Sequence, residues 1–205
     1  MTTIKGKKKI KPKAGVKPKP KPKPKSSAKL PKKVIAYLEK AGVPHKVLQH
    51  KTVYTAYDAA QTMGKKINEI AKSLLVKADK DYYVVLVPAD QNVDFDKLGK
   101  YVTKLKGKEV KIVKIPGEKI MSDLLRLKNE TMSAFGSLHK LPVLADKNLA
   151  KLKKVIFSSG SLNHSVEMNI RDYLNLEKAG LGSFGIKKPK KKIVAAKAKK
   201  TVKRK

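Results

Sequence analysis

Residues 69–90, EIAKSLLVKADKDYYVVLVPAD, restrict the fold more than any other part of the chain. Two apolar runs, 73–78 and 82–87, flank the polar triplet Asp79-Lys80-Asp81. β-Branched and aromatic residues on both sides of a short polar turn predict a hairpin. The second run, YYVVLV, has no polar alternation, so it predicts a strand buried on both faces near a sheet centre. Lys72 stands at the edge of this element, just before the first apolar run.

The remaining pattern mixes helices and strands. An apolar face of Leu30, Val34, Ile35 and Leu38 predicts a helix over 30–40, stopped by Gly42. Thr55 and Asp58 fit a capping box that opens a helix over 55–63, stopped by Gly64. Further helices are expected over 94–105, over 116–127 from Pro116, and over 171–176, with a short helical turn over 67–71. Strands are expected over 45–50, 110–115, 141–145, 155–157 and 165–170. Residues 88–92 read as a loop, 129–140 as irregular chain and 158–161 as a turn. Strict β-α-β alternation is absent, so the class is α+β, mixed α/β around one sheet.

Charge is divided unevenly along the chain. The formal net charge is +34, from 50 Lys and Arg against 16 Asp and Glu. Residues 1–33 hold 14 of these cations and residues 187–205 hold 11, with no acid in either stretch. The middle keeps 25 cations against all 16 acids. KPKPKPKPK over 17–25 alternates a φ-locked residue with a repelling charge and has almost nothing to bury, which predicts extended, disordered chain. The expected organisation is a tail over 1–29, a folded domain over 30–178 and a second basic tail over 179–205. A polycation binds polyanions by counterion release, so nucleic acid is the first partner class and an anionic lipid surface the second. Lys17, Lys19, Lys21, Lys23, Lys190, Lys191 and Lys192 are the candidate nucleic-acid contacts. Such tails follow a backbone but read no sequence.

Several classes drop out. Without cysteine there is no disulfide framework, thiol nucleophile or Cys-based zinc site. No apolar run approaches the roughly 18 residues of a membrane helix, and the charged N-terminus lacks the apolar core of a signal peptide. The expectation is a cytoplasmic protein without a membrane partner. The KKPKKK run over 187–192 would act as a nuclear address only in a eukaryote. His45 and His50 lie five apart on a predicted strand, hence on opposite faces, and no third ligand stands at a set spacing. No metal and no cofactor is expected.

Four segments carry a family resemblance. LEKAGVPHKVLQHKTVYTAYDAAQTMG, INEIAKSLLVKADKDYYVVLVPADQNVDFDKL, FGSLHKLPVLADKNL and VIFSSGSLNHSVEMNIRDYLNL occur in an order that resembles the YbaK/prolyl-tRNA-synthetase-associated family of aminoacyl-tRNA editing domains. The resemblance runs over roughly 30–177. It implies one YbaK-like domain, a central mixed and largely antiparallel sheet flanked by helices. It also implies a trans-acting deacylase for mischarged aminoacyl-tRNA, with an aminoacyl-tRNA synthetase as a further partner. An aminoacyl ester is already activated, so positioning, oxyanion donors and a placed water suffice without metal.

By the same resemblance Lys72 is the expected catalytic residue, its cation on the acceptor end or the ester. Ser73, Gly136, Ser137, Ser159, Gly160, Ser161 and His164 are the expected substrate contacts. Asp146 matches a family position as well, although a cap for the following helix explains it. One departure stands out. The family's Gly-x-x-x-Pro loop falls on Glu130, Thr131, Met132, Ser133 and Ala134, which contain neither glycine nor proline. That leaves two rivals open, a YbaK-fold RNA-binding protein that has lost hydrolysis, and a nucleic-acid-associated polycation with a passenger domain.

Overall fold

The computed structural model describes residues 30–125 and 131–187. In chain order the elements are α1 (Lys32–Lys40), β1 (His45–Gln49), α2 (Ala56–Met63), β2 (Ala71–Ala78), β3 (Asp81–Pro88), β4 (Gln91–Val93), α3 (Phe95–Lys106) and β5 (Val113–Lys114). They continue as α4 (Glu118–Leu125), β6 (Val143–Asp146), α5 (Lys147–Ala150), β7 (Lys154–Ser158), β8 (His164–Asn169), α6 (Ile170–Leu176), β9 (Gly180–Gly182) and β10 (Gly185–Lys187). Both tails' candidate lysines, Lys17, Lys19, Lys21, Lys23, Lys190, Lys191 and Lys192, lie outside the described residues, as does Glu130.

The hairpin forms as the pattern predicts. β2 and β3 pair antiparallel from Ala71–Pro88 to Ala78–Asp81. The turn places Asp79 at φ 52°, a left-handed conformation that Asp tolerates, and its carboxylate accepts from the amides of Lys111 and Ile112. β3 lies inside a five-stranded mixed sheet of order β5-β2-β3-β6-β9, antiparallel to β2 and parallel to β6. A second, antiparallel sheet has the order β1-β8-β7. A parallel bridge from Ile70 to Ile156 joins the two sheets, and β4 and β10 form a separate antiparallel ribbon.

Strand alternation gives the large sheet two apolar faces. Ala71, Val84, Leu86, Val143 and Ala145 face one core with Val155, Phe157, Val166, Phe135 and Tyr173. Phe157 stacks on Tyr173 at 4.0 Å between ring centroids, and Phe135 meets Tyr173 edge-on at 5.5 Å. Val76, Ala78, Val85, Val87 and Leu144 face the opposite core, under Leu98 and Val102 of α3 and Phe184.

The structure corrects three boundaries. Of the loop expected over 88–92, Pro88 ends β3 and Gln91 and Asn92 belong to β4. Of the strand expected over 110–115 only Val113–Lys114 joins the ladder, while Ile112 and Ile115 stay exposed. The folded chain also passes the predicted end at residue 178, because β9 pairs with β6 and β10 with β4. Asp146 is what holds this last segment. Its carboxylate is buried and accepts from the amides of Asn148 (2.8 Å), Phe184 (2.9 Å) and Gly185 (2.6 Å). Capping of α5 is thus one part of its role, and anchoring the C-terminal strands is the other. We expect Asp146→Ala to lose about 3 kcal/mol, because it orphans buried donors that now meet a charged acceptor. Urea denaturation should show a lower midpoint with an unchanged slope.

Candidate functional site

Where β2 begins, β7 ends and β8 begins, the two sheets separate around a cavity of about 340 Å³. Its apolar floor comes from Ala59, Ile70, Ala71, Ile156 and Phe157. Its polar wall holds Ser73, Thr131, Ser158, Ser161, Ser165 and His50, with Lys72 at the β2 side and Tyr54 and Thr55 at the α2 side. A larger concavity of about 710 Å³ lies between α3 and residues 109–113. Its Asp96, Lys100, Glu109 and Lys111 are all exposed, and it joins no nucleophile to a base. A third, of about 310 Å³, holds the Lys65–Glu167 pair (2.8 Å), a surface ion pair on the outer side of β8.

Two expected residues, Lys72 and Ser73, sit side by side on β2, yet alternation sends their side chains to opposite faces. Ser73 Oγ is buried and has no hydrogen-bond partner. An unmet buried hydroxyl carries a desolvation cost of about 1–3 kcal/mol, and a ligand donor or acceptor in the cavity would remove it. Lys72 lines the cavity, but its ammonium donates to the Gln91 carbonyl (2.5 Å) and to Asn92 Oδ1 (3.4 Å) of β4. The expected cation is therefore held by protein acceptors on β4, which does not line the cavity.

Ser161 is the third expected residue to line the cavity; its neighbours stand one layer behind. Ser159 Oγ donates to the His164 carbonyl (2.6 Å), and Ser161 Oγ meets His164 Nδ1 at 3.3 Å. Gly160 takes φ +86°, a conformation favouring glycine, and its carbonyl accepts from the Thr131 amide (3.1 Å). Ser159, Gly160 and His164 shape the turn and do not line the cavity. Gly136 and Ser137 do not line the cavity. A Cβ on Gly136 would meet Val143 Cγ2 at 2.5 Å and the Leu141 carbonyl at 2.6 Å, so its role is close packing. The Ser137 amide donates to Glu177 Oε2 (2.9 Å). Where the Gly-x-x-x-Pro loop was expected, the amides of Thr131 and Ala134 are bonded to the carbonyls of Gly160 and Ser158, leaving those two donors closed to a ligand.

The residues that sequence reasoning passed over are His50 and Ser165. His50 Nδ1 lies 2.8 Å from the Lys51 carbonyl, which can only accept. That contact puts the ring proton on Nδ1 and makes Nε2 the acceptor for Ser165 Oγ at 2.9 Å. Backbone pairing sets the geometry, since the His50 amide donates to the Asn163 carbonyl (2.9 Å) and Val53 to Leu162 (3.0 Å). No spacing motif announces a histidine and a serine 115 positions apart; only the β1–β8 ladder brings them together.

Burial, and then electrostatic coupling to the neighbouring His50 ring, push the His164 imidazole below its ordinary value of 6.5. His139 is lowered likewise, by burial and then by Lys33. The unfolded chain thus binds more protons than the folded one between those lowered values and 6.5. Stability is complete above that window and is lost as pH falls through it. Denaturation midpoints compared at about pH 7.5 and pH 5.5 should show this drop, and His164→Asn should make it smaller. Gly136→Ala is expected to destabilise by about 1–3 kcal/mol through overpacking. Thermal melting tests this.

The aminoacyl-tRNA editing domain model matches residues 50–176. The multifunctional Ser/Thr-tRNA deacylase ProXp-y of Escherichia coli K12 is 24% identical over 157 residues, covering 74% of this chain and 90% of that protein. The proline–tRNA ligase of Thermosipho melanesiensis is 29% identical over 125 residues; the match covers 59% of this chain and only 21% of the ligase. A solved structure described as a candidate trans-editing enzyme for prolyl tRNA synthetase has the same fold, with a TM-score of 0.60 at 21% identity, over 78% of this chain and 97% of that one. The match spans more than half of the chain, and this chain belongs to the aminoacyl-tRNA editing domain family.

Proposed function

We propose that the protein is a trans-acting deacylase that hydrolyses the ester of mischarged aminoacyl-tRNA. The observation that carries this reading is the cavity wall, a buried unpaired hydroxyl at Ser73 facing the same space as the His50–Ser165 pair. The ester carbonyl sits near Ser73, whose hydroxyl has no protein partner and donates to the oxygen as it gains negative charge. Ser165 gives its proton to His50 Nε2 in a hydrogen bond, so its own lone pairs face the cavity and hold the attacking water. Water attacks the carbonyl carbon, and its proton passes through Ser165 to His50. The imidazolium returns that proton to the departing ribose oxygen, yielding the free amino acid and tRNA. Lys72 holds a phosphate of the terminal nucleotide at the edge, exchanging Asn92 for it.

The cavity's size and hydroxyl lining suit a small or hydroxylated amino acid. The relative from E. coli is named for Ser and Thr, and those two lead the substrate panel. The basic termini add affinity for any tRNA by counterion release and select none. A synthetase as docking partner fits the ligase relative.

A deacylation assay over tRNAs mischarged with Ser, Thr and Ala tests the reading. We expect His50→Ala and Ser165→Ala to lower kcat by about 10²- to 10³-fold and Ser73→Ala by at least about 10-fold. Lys72→Ala should mainly raise KM, by about 10-fold, as expected for one charge-assisted contact. Tight tRNA binding with no hydrolysis of any ester would instead establish the RNA-binding rival.

A further inference from the structure

Tyr54 is the most exposed large hydrophobic side chain among the described residues, at 79%. It also lines the cavity that holds Ser73 and Ser165, so it stands at the rim. The backbone around it is pinned. Val53 donates to the Leu162 carbonyl (3.0 Å), Asn163 Nδ2 to Thr52 Oγ1 (2.9 Å), and Thr55 caps α2 by accepting from the Asp58 amide (3.1 Å). An exposed ring beside a cleft, on a segment bonded on both sides, is placed for a ligand.

The cavity says which part of the ligand. At about 340 Å³ it lies at the small end of ligand pockets, which run from roughly 300 to 1,000 Å³. The buried Ser73 and Ser165 take the aminoacyl ester and its ribose, which leaves the attached base at the rim. An unpaired base in water finds its best partner in an aromatic face, and such a stack tolerates any sequence. We propose that Tyr54 is the platform on which the terminal base of the RNA stacks, fixing the ester's depth in the cavity. This deepens the deacylase reading and rests on it for the orientation of the ligand. Tyr57, one turn further on, is exposed too, but its hydroxyl is held by Gln61 (3.1 Å) and it does not line the cavity.

Two measurements on the full chain test the platform. The first compares hydrolysis of aminoacyl-tRNA with that of the same amino acid's methyl ester, which has no base. Tyr54→Ala should raise KM for the tRNA roughly 5- to 100-fold, the range one lost base–aromatic stack produces. It should change kcat less than about twofold and leave the methyl ester untouched; Tyr54→Phe should behave as wild type, and Tyr57→Ala should be nearly silent. An unchanged KM, or an equal loss on both esters, overturns the proposal. The second needs no hydrolysis. The chain has no tryptophan, so Tyr54→Trp installs a single indole. Adenosine 5′-monophosphate and the trinucleotide CpCpA should quench it saturably, and should quench Tyr57→Trp only by collision. Saturable quenching without deacylation would sink the enzymatic reading and keep the base site. Collisional quenching alone at position 54 would remove the base site.

Discussion

Pairing of β2 with β3 is the constraint on which the rest of the molecule depends. Every residue of YYVVLV needs cover, and a strand can supply cover only through a sheet with two buried faces. One face calls for α3 and the segment carrying Phe184; the other calls for the β1-β8-β7 sheet and the Phe135–Phe157–Tyr173 cluster. Both cores are thereby dictated by one hairpin. The cavity is a by-product of the same demand, since two twisted sheets joined near Ile70 and Ile156 must part somewhere. They part where small residues, Ala59, Ala71 and Ser73, line the gap.

The chemistry inside that gap is neutral. Its wall is hydroxyls and one imidazole, while the strong positive charge of the chain belongs to its ends. This division suits a reaction on an ester carried by a polyanion. On the deacylase reading proposed above, long-range charge serves to gather the nucleic acid and short-range hydrogen bonds of fixed direction serve to handle the reacting group. Lys72 stands between the two regimes, on the cavity's edge with its ammonium on β4.

The candidate site was only partly legible in the chain. Lys72, Ser73 and Ser161, which the resemblance named, line the cavity. Gly136 and Ser137 were drawn in by their place in a resembling segment, yet the fold spends one on packing against Val143 and the other on Glu177. His50 looked like one of two unrelated strand histidines. Its significance comes from β8 laying Ser165 against it, a contact between residues with no sequence relation. Tyr54 had no signal either, since exposure is a property of the surface and not of a residue type.

Local pattern by itself determined the hairpin, the helix caps at Thr55 and Asp94, the α+β class and the separation of charge into the termini, because these follow from neighbours in sequence. Tertiary structure alone decided β4, β9 and β10. Three-residue strands are too short to show a period, and glycines 180, 182 and 185 disfavour strands until Tyr101, Phe184 and the Asp146 carboxylate crowd against them and leave no room for a Cβ. It alone also decided which hydroxyls face the cavity, since one residue's step along a strand reverses the side, and only the packed sheets define what each side meets.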